Sequence, residues 1–274
     1  MSEKNREGKR TARERLQQQR AADEARGRRK KQFVVGGVVI GVIAAAVVTG
    51  VVVQNQRSKP ETPTAAPAGT TGEKNLVIPS GAADAPSVLT VYEDPRCPAC
   101  GSFEQAFTQT VNELEDAGKI TANYHIVSFI DRSLGGKGSK YGANALACAQ
   151  EAGKFRAYHD VLYKNQPAET SDTFGDKEAL IDLAKQVPGL DTPAFRACVN
   201  DNEFGGWVSA VQQDFDKSGF KSTPTVLLNG TPVYPKKGEE QISPENLVKW
   251  VDEANQGKKL GTTGSQVPST APSP

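Results

Sequence analysis

Two cysteines three positions apart, Cys97 and Cys100, stand where a predicted strand passes into a predicted helix. The apolar, β-branched residues 88–92 precede them, and a helical pattern follows them directly. A thiol in the first turn of a helix lies among unpaired backbone N–H groups at the positive end of the helix dipole, so its pKa falls. Cys97 is therefore the predicted nucleophile. Pro98 suits the first helical position because its missing N–H would have no partner there.

The alternatives to redox chemistry for this pair are half of a zinc site and a structural clip. A zinc site would normally need a second CxxC or a CxxH. The remaining cysteines, Cys148 and Cys198, are single and distant, and the two histidines are isolated. A disulfide between Cys97 and Cys100 would close a very small ring, and exposed, reducible pairs of this kind tend to be catalytic. The order of strand, CxxC and helix favours a redox pair and predicts neither a metal nor a cofactor.

Residues 33–53 contain no charge, and only Thr49 among them has a polar side chain. As a helix this run would span about 31 Å, which matches a bilayer core. The sequence predicts a single transmembrane helix rather than a cleaved signal peptide, because the run is long for a signal peptide and the basic stretch before it is extended. The three alanines at 44–46 leave cleavage as the alternative.

Charge is distributed unevenly on the two sides of this run. Residues 1–32 contain 12 Lys/Arg against 5 Asp/Glu, whereas residues 76–258 contain 17 against 25. Basic residues beside a membrane span more often set topology and touch anionic lipid than bind nucleic acid. Residues 1–32 are therefore predicted to be cytoplasmic, and the rest of the chain beyond the span extracytoplasmic. Residues 54–75, rich in Pro, Thr and Ala, are predicted to be a disordered linker, and residues 259–274 a disordered tail.

Residues 76–258 carry the patterns of a folded α/β domain. The strand at 88–92, the helix after Cys97 and a second strand at 120–130 make a βαβ unit. Residues 139–219 are wholly helical in pattern, which predicts an all-helical insertion. Asn229 and Gly230 then mark a hairpin between strands 224–228 and 231–234. Ser243 and Pro244 begin a closing helix.

Three segments together resemble the thioredoxin-fold DsbA-like oxidoreductases, in the form that is anchored in bacterial envelopes. They are residues 92–100 (YEDPRCPAC), residues 158–163 (YHDVLY) and residues 222–226 (STPTV). The resemblance covers about residues 76–256. It implies a thioredoxin core with a helical domain between its halves, and thiol–disulfide exchange in the envelope. The chain differs from the best-known oxidase of the family in having Ala99 in place of a histidine and Thr223 in place of a hydrophobic residue.

The resemblance also places Pro224 beside the CxxC. The Thr223–Pro224 peptide bond is therefore expected to be cis and to lie against the Cys97 sulfur. Threonine at this position goes with less oxidising enzymes among the relatives, so the pair is predicted to be less oxidising than that of the histidine-containing oxidase.

Asp94, three residues before Cys97, is a candidate for influencing the pair or for accepting a proton from Cys100. The alternative is an acid that merely ends a strand, and Glu93 carries less weight still. His125 and His159 are interpreted as hydrogen-bonded packing residues rather than as bases or ligands. The predicted supporting residues of the redox pair are Pro98, Ala99, Asp94, Thr223 and Pro224.

Cys148 and Cys198 each lie on the apolar stripe of a predicted helix in the insertion. Outside a reducing compartment they are predicted to form a structural disulfide. Two buried free thiols are the alternative, because unpaired cysteine is often buried.

Three functions are compatible with these observations. The leading hypothesis is a disulfide oxidase or isomerase that acts on exported proteins with cysteines and is reset by a membrane or small-molecule redox partner. A reductase supplied with electrons across the membrane would use the same chemistry. A tethered binding module or chaperone would keep the fold without turnover, but a scaffold has no need of a reactive thiol pair.

Overall fold

The computed structural model describes residues 66–262. The basic segment at 1–32 and the predicted transmembrane helix at 33–53 lie outside the described residues. Within residues 66–262, no helix is both long and apolar enough to cross a membrane.

A five-stranded sheet forms the centre of the described domain. Its strands in chain order are β1 (Ile78–Gly81), β2 (Ser87–Glu93), β3 (Ile120–Ile126), β4 (Thr225–Leu228) and β5 (Thr231–Pro232). Across the sheet their order is β1-β3-β2-β4-β5. β2 and β3 are parallel, and the other neighbouring pairs are antiparallel. The edge strand β1 has no counterpart among the predicted strands.

The helices divide into two groups. In chain order they are α1 (Pro98–Asp116), α2 (Ile130–Leu134), α3 (Gly138–Glu151), α4 (Phe155–Lys164), α5 (Lys177–Ala184), α6 (Pro193–Asp201), α7 (Gly205–Lys217) and α8 (Pro244–Ala254). α1 connects the parallel strands β2 and β3 and packs against α8. Helices α2 to α7 lie between β3 and β4 in the sequence. The predicted α/β core with an all-helical insertion is therefore present.

The alternating pattern of β2 decides which side chains face the active site. Leu89, Val91 and Glu93 are buried, while Thr90 and Tyr92 between them are half-buried. Successive side chains of a strand point to opposite faces, so Glu93 continues the buried apolar face at the end of the strand. The strand is therefore buried more on one face than on the other.

The helical insertion begins earlier in the chain than predicted. The predicted second strand runs to residue 130, but β3 ends at Ile126 and α2 begins at Ile130. The backbone N–H of Ile130 donates to Oδ2 of Asp94 (3.0 Å), an acceptor 36 positions away in the sequence. The spacing of apolar residues along the sequence does not reveal such a contact. The insertion therefore extends from Ile130 to Lys217 rather than from 139 to 219.

The folded domain extends beyond both of its predicted ends, residues 76 and 258. Residues 66–75 were assigned to the disordered linker, but Thr71 pairs with Val77 in an isolated bridge, and Trp207 Nε1 donates to the Asn75 carbonyl (2.7 Å). At the other end, the N–H of Gly261 donates to the Gly118 carbonyl (2.8 Å), although residue 261 was assigned to the tail. These segments are held by backbone groups, which composition does not reveal.

The predicted hairpin is present but shorter than expected. Asn229 and Gly230, both with positive φ (49° and 81°), connect β4 to β5. β5 ends at Pro232 rather than at residue 234. The N–H of Val233 still donates to the Val226 carbonyl (2.9 Å), so one more hydrogen bond to β4 follows the end of the strand. A separate pair of short strands, β6 (Lys236–Lys237) and β7 (Glu240–Gln241), precedes α8.

Candidate active site

Cys97 and Cys100 lie where β2 ends and α1 begins. Cys97 is the N-cap residue of α1, and Pro98 occupies the first helical position, as predicted. Cys97 is 5% exposed, whereas Cys100 is fully buried. Both cysteines are free thiols in this structure. Pro98 and Ala99 are exposed, so they form the outer surface of this first turn.

The pKa of the Cys97 thiol is lowered to about 6. The largest cause is a hydrogen bond from the Cys100 side chain. Burial opposes it, but the Thr223 side chain and the backbone N–H groups of Cys100 and Ala99 lower the pKa further. Thiolate is the reactive form of cysteine, so Cys97 is predominantly in its reactive form at neutral pH.

The pKa of Cys100 moves in the opposite direction, well above its usual value. Burial is the largest cause, followed by the hydrogen bond with Cys97 and the negative charges of Cys97 and Glu93. The two sulfurs of the CxxC are therefore chemically distinct: one is ionised at neutral pH, and the other keeps its proton.

Thr223 lies against the Cys97 sulfur. The peptide bond between Thr223 and Pro224 is cis, as predicted. The Cys97 thiol donates to the Thr223 carbonyl oxygen, with 3.4 Å between sulfur and oxygen. The buried Thr223 hydroxyl has no hydrogen-bond partner among the described residues. It is therefore available to donate to the thiolate when Cys97 ionises.

Asp94 supports the site through the backbone. Its buried carboxyl group accepts hydrogen bonds from the Arg96 N–H (2.9 Å), the Ser139 hydroxyl (2.7 Å) and the Ile130 N–H (3.0 Å). Burial raises its pKa to about 7, although these three hydrogen bonds act to lower it. The carboxyl group thus fixes the turn before Cys97 and joins it to the helical insertion.

Glu93, Glu104 and His159 form a buried cluster, and the charge of Glu93 raises the pKa of Cys100. Nε2 of His159 is 2.7 Å from Oε1 of Glu93, and the two side chains are 2% and 0% exposed. Burial alone would lower the pKa of His159, but the carboxyl groups of Glu93 and Glu104 raise it well above its usual value. Burial raises the pKa of Glu104 to about 8. At neutral pH the cluster therefore holds protons on both His159 and Glu104.

The spacing of this cluster is that of a hydrogen-bonded ion pair. The nitrogen and oxygen ligands of one zinc ion, each about 2.0 Å from a tetrahedral metal, would stand about 3.3 Å apart. Nε2 of His159 and Oε1 of Glu93 are closer than that, at an ordinary hydrogen-bond distance. Glu93 and His159 therefore form a hydrogen-bonded ion pair in this structure.

Sequence reasoning missed this cluster, although the pattern contained a signal. Glu93 shares strand parity with the apolar Leu89 and Val91, and Glu104 lies one helical turn after the buried Cys100. An acid at a core position of a strand or helix needs a partner. Counting polar residues on apolar faces would have singled out both acids.

The second pair of cysteines lies within the insertion. Cys148 of α3 and Cys198 of α6 form a disulfide, with their Cα atoms 5.9 Å apart. The predicted pairing is therefore present in the structure. His125 stacks on Tyr92 with ring centroids 4.1 Å apart, and burial lowers its pKa to about 4. It is a neutral packing residue.

Residues 73–253 match the protein-family model described as Thioredoxin. The chain belongs to the thioredoxin family. The match contains the sheet strands, the CxxC and the helical insertion.

Several relatives within this family have names that describe disulfide chemistry. A probable disulfide bond formation protein D of Bacillus cereus is 25% identical over 158 residues, which cover 57% of this chain and 71% of the relative. The reduced crystal structure of DsbA from Mycobacterium tuberculosis is 27% identical, with a TM-score of 0.56 over 65% of this chain and 92% of that one. The reduced disulfide bond oxidoreductase DsbG from the same organism is also 27% identical, with a TM-score of 0.54 over 73% and 90%.

The chain is therefore a thiol–disulfide oxidoreductase of the DsbA type. The family match covers the fold, and the site retains both cysteines of the redox motif at the start of α1.

Proposed function

We propose that this oxidoreductase forms or rearranges disulfides in exported proteins that contain cysteines, with Cys97 as the exchanging sulfur. The observation that carries the proposal is the asymmetry of the two thiols. The pKa of Cys97 is lowered to about 6, while that of Cys100 is raised well above its usual value. A thiolate of low pKa leaves readily from a mixed disulfide.

The proposed cycle starts from an oxidised Cys97–Cys100 pair. A substrate thiolate attacks Sγ of Cys97, the bond between the two cysteines breaks, and Cys100 leaves with the electron pair. A second substrate thiolate then attacks the substrate sulfur of the mixed disulfide and releases Cys97 as a thiolate. The substrate gains a disulfide, and the enzyme gains the two electrons. A membrane-bound or small-molecule oxidant must then reset the pair.

The proton for Cys100 comes from the interior of the protein in this proposal. Cys100 is fully buried, so its leaving thiolate has little access to bulk water. Glu104 and His159 hold protons at neutral pH. Glu93 pairs with His159 and is close enough to Cys100 for its charge to raise the Cys100 pKa. The cluster can supply the proton when Cys100 leaves and accept it back when Cys100 attacks.

The lowered Cys97 pKa supports electron flow from substrate to enzyme. A fold that stabilises the thiolate favours the reduced protein, which makes the disulfide form an oxidant. The value of about 6 lies between about 3.5 for DsbA and about 7 for thioredoxin. We therefore propose an oxidase or isomerase with a reduction potential between about −120 and −270 mV, the values for those two proteins.

Two assays test this function on the same protein preparation. The oxidised enzyme should oxidise a reduced, unfolded protein faster than it reduces insulin disulfides in the presence of dithiothreitol. Cys97→Ser should abolish both activities, whereas Ser102→Ala, an exposed change in the same helical turn, should preserve them. Rapid insulin reduction without oxidation would instead identify a reductase. A protein with neither activity would be a binding module or chaperone.

We further propose that residues 33–53 anchor the enzyme in the cell membrane and that the catalytic domain is extracytoplasmic. The uncharged run at 33–53 and the basic residues 1–32 before it support this topology. The Cys148–Cys198 disulfide is consistent with an oxidising compartment. Full-length protein should remain in the membrane fraction after an alkaline carbonate wash. A membrane-impermeant thiol reagent should label Cys97 in intact cells after reduction, and labelling only after lysis would contradict the topology.

A further inference from the structure

Gln166 follows α4 and lies against the active-site turn. Its Nε2 atom donates to the carbonyl oxygens of both Pro95 and Cys97, at 2.9 Å each. One side-chain amide of the helical insertion therefore bonds the backbone on both sides of Arg96, directly before the redox helix.

The same amide packs against the first turn of α1 itself. A Cβ atom on Gly101 would stand 2.0 Å from Oε1 of Gln166, so only glycine accommodates the amide at this distance. Gly101 is buried. Its backbone N–H donates to the Cys97 carbonyl (3.0 Å), which is also one of the two acceptors of Gln166.

These contacts converge on the backbone that orients the Cys97 thiolate. The N–H groups of Ala99 and Cys100 contribute to the lowered pKa of Cys97. Their direction depends on how the first turn of α1 is closed, and the Cys97 carbonyl closes it. Gln166 holds that carbonyl, whereas the Cys97 sulfur bonds the Thr223 carbonyl.

We propose that Gln166 is a positioning residue through which the helical insertion sets the reactivity of Cys97. This inference rests on the proposed exchange function and extends it to a residue outside the thioredoxin core. Gln166 touches neither sulfur by a hydrogen bond. It acts by fixing the carbonyl groups of Pro95 and Cys97, and with them the N–H groups that face the thiolate.

The first experiment replaces Gln166 by a residue of similar length that cannot donate. Gln166→Met should raise the Cys97 pKa by about half to one unit. A change of one pKa unit corresponds to about the free energy of one or two hydrogen bonds. The variant should also shift the equilibrium with glutathione toward the enzyme disulfide. The matched control is Gln150→Met, which removes an amide that donates to the Ala68 carbonyl, an exposed contact between α3 and the start of the domain. That control should leave both quantities unchanged.

The second experiment tests the packing of Gln166 against Gly101. Gly101→Ala should displace the amide and raise the Cys97 pKa in the otherwise unchanged protein. In a Gln166→Ala background the same change has room, so it should cause little further shift in pKa. Residues in contact show this kind of non-additivity.

The outcomes separate this inference from the proposed function. If the unmodified enzyme exchanges disulfides, and folded Gln166→Met and Gly101→Ala variants keep its Cys97 pKa and glutathione equilibrium, the positioning role is wrong and the function stands. If Gln166→Met does not fold, the effect of Gly101→Ala on the Cys97 pKa is compared in the unmodified protein and in Gln166→Ala. Equal pKa shifts in these two backgrounds would overturn the inference. An unmodified enzyme without exchange activity contradicts the proposed function itself.

Discussion

Nε2 of His159 lies 2.7 Å from Oε1 of Glu93, both side chains are buried, and the charge of Glu93 raises the pKa of Cys100. The pair joins α4 of the insertion to the end of β2 in the central sheet. A buried ion pair of this kind is costly to break, because the remaining charge loses its partner. The contact therefore combines a structural role with the handling of protons for the buried thiol.

Glu93→Gln should destabilise the protein by about 3–5 kcal/mol, because it leaves a protonated His159 buried without its carboxylate. It should also lower the Cys100 pKa, because the negative charge of Glu93 helps to raise it. Urea unfolding and the rate of mixed-disulfide resolution measure the two effects. Glu113→Gln, an exposed change on α1, is the control. Equal stability of the two variants would contradict the ion pair.

Thr223→Val should raise the Cys97 pKa by up to about one unit, because it removes a hydroxyl that lowers this pKa. The reduced enzyme then loses part of its thiolate stabilisation, so the glutathione equilibrium should shift toward the enzyme disulfide. This direction is the reverse of the one that the family resemblance implies, in which threonine goes with the less oxidising enzymes. The Thr225→Val change, at a half-buried residue whose hydroxyl donates to the Ser222 carbonyl, serves as a comparison. An unchanged glutathione equilibrium in Thr223→Val would show that the Thr223 hydroxyl does not stabilise the Cys97 thiolate.

Asp94→Asn should destabilise the fold by about 1–3 kcal/mol, because an amide group would face one of the three donors that the carboxyl group now accepts. Asp94→Asn should also change the pH dependence of thiol exchange if Asp94 influences the redox pair, and the pH–rate profile of the variant tests this.

The pH dependence of stability gives Asp94 a second signature. Its folded-state pKa of about 7 lies above the unfolded value of 3.8. A raised carboxyl pKa contributes stability that is complete below the unfolded value and is lost as the pH rises through the folded one. The stability deficit of Asp94→Asn should therefore be largest near pH 4 and should shrink toward pH 8. A deficit that grows over this range would contradict the assigned shift.

The double variant Cys148→Ala with Cys198→Ala should lose about 4 kcal/mol of stability, the loop-closure value for the sequence separation of 50 residues. Thiol exchange at Cys97 should persist under conditions in which the variant remains folded. Denaturant unfolding of oxidised and reduced unmodified protein provides the independent comparison. Equal midpoints for all three forms would assign the disulfide no stabilising role.

Local patterns were sufficient to predict the redox helix. The cap at Cys97, the proline after it and the run of strand residues before it are all consecutive in sequence. The same holds for the cap at Ser243, whose side chain accepts from the backbone N–H of Asn246.

The parts of the site that sequence reasoning missed depend on contacts between distant segments. Glu93 meets His159 across 66 positions, and Gln166 meets Cys97 across 69. Neither contact alters the helix or strand propensity of the residues around it, so local sequence patterns do not predict it. The early start of the insertion at Ile130 has the same origin, because its N–H is held by Asp94.

The ionisation of Cys97 decides whether this thiol is activated for disulfide exchange at neutral pH. The ultraviolet absorbance of thiolate should be followed against pH in the reduced enzyme with Cys148–Cys198 intact, and in Cys97→Ser as the reference. We predict one thiolate that forms with a midpoint at about pH 6, is absent from Cys97→Ser, and precedes any ionisation of Cys100. A midpoint near the ordinary cysteine value of about 8.5, or a midpoint at pH 6 that persists in Cys97→Ser, would contradict the account.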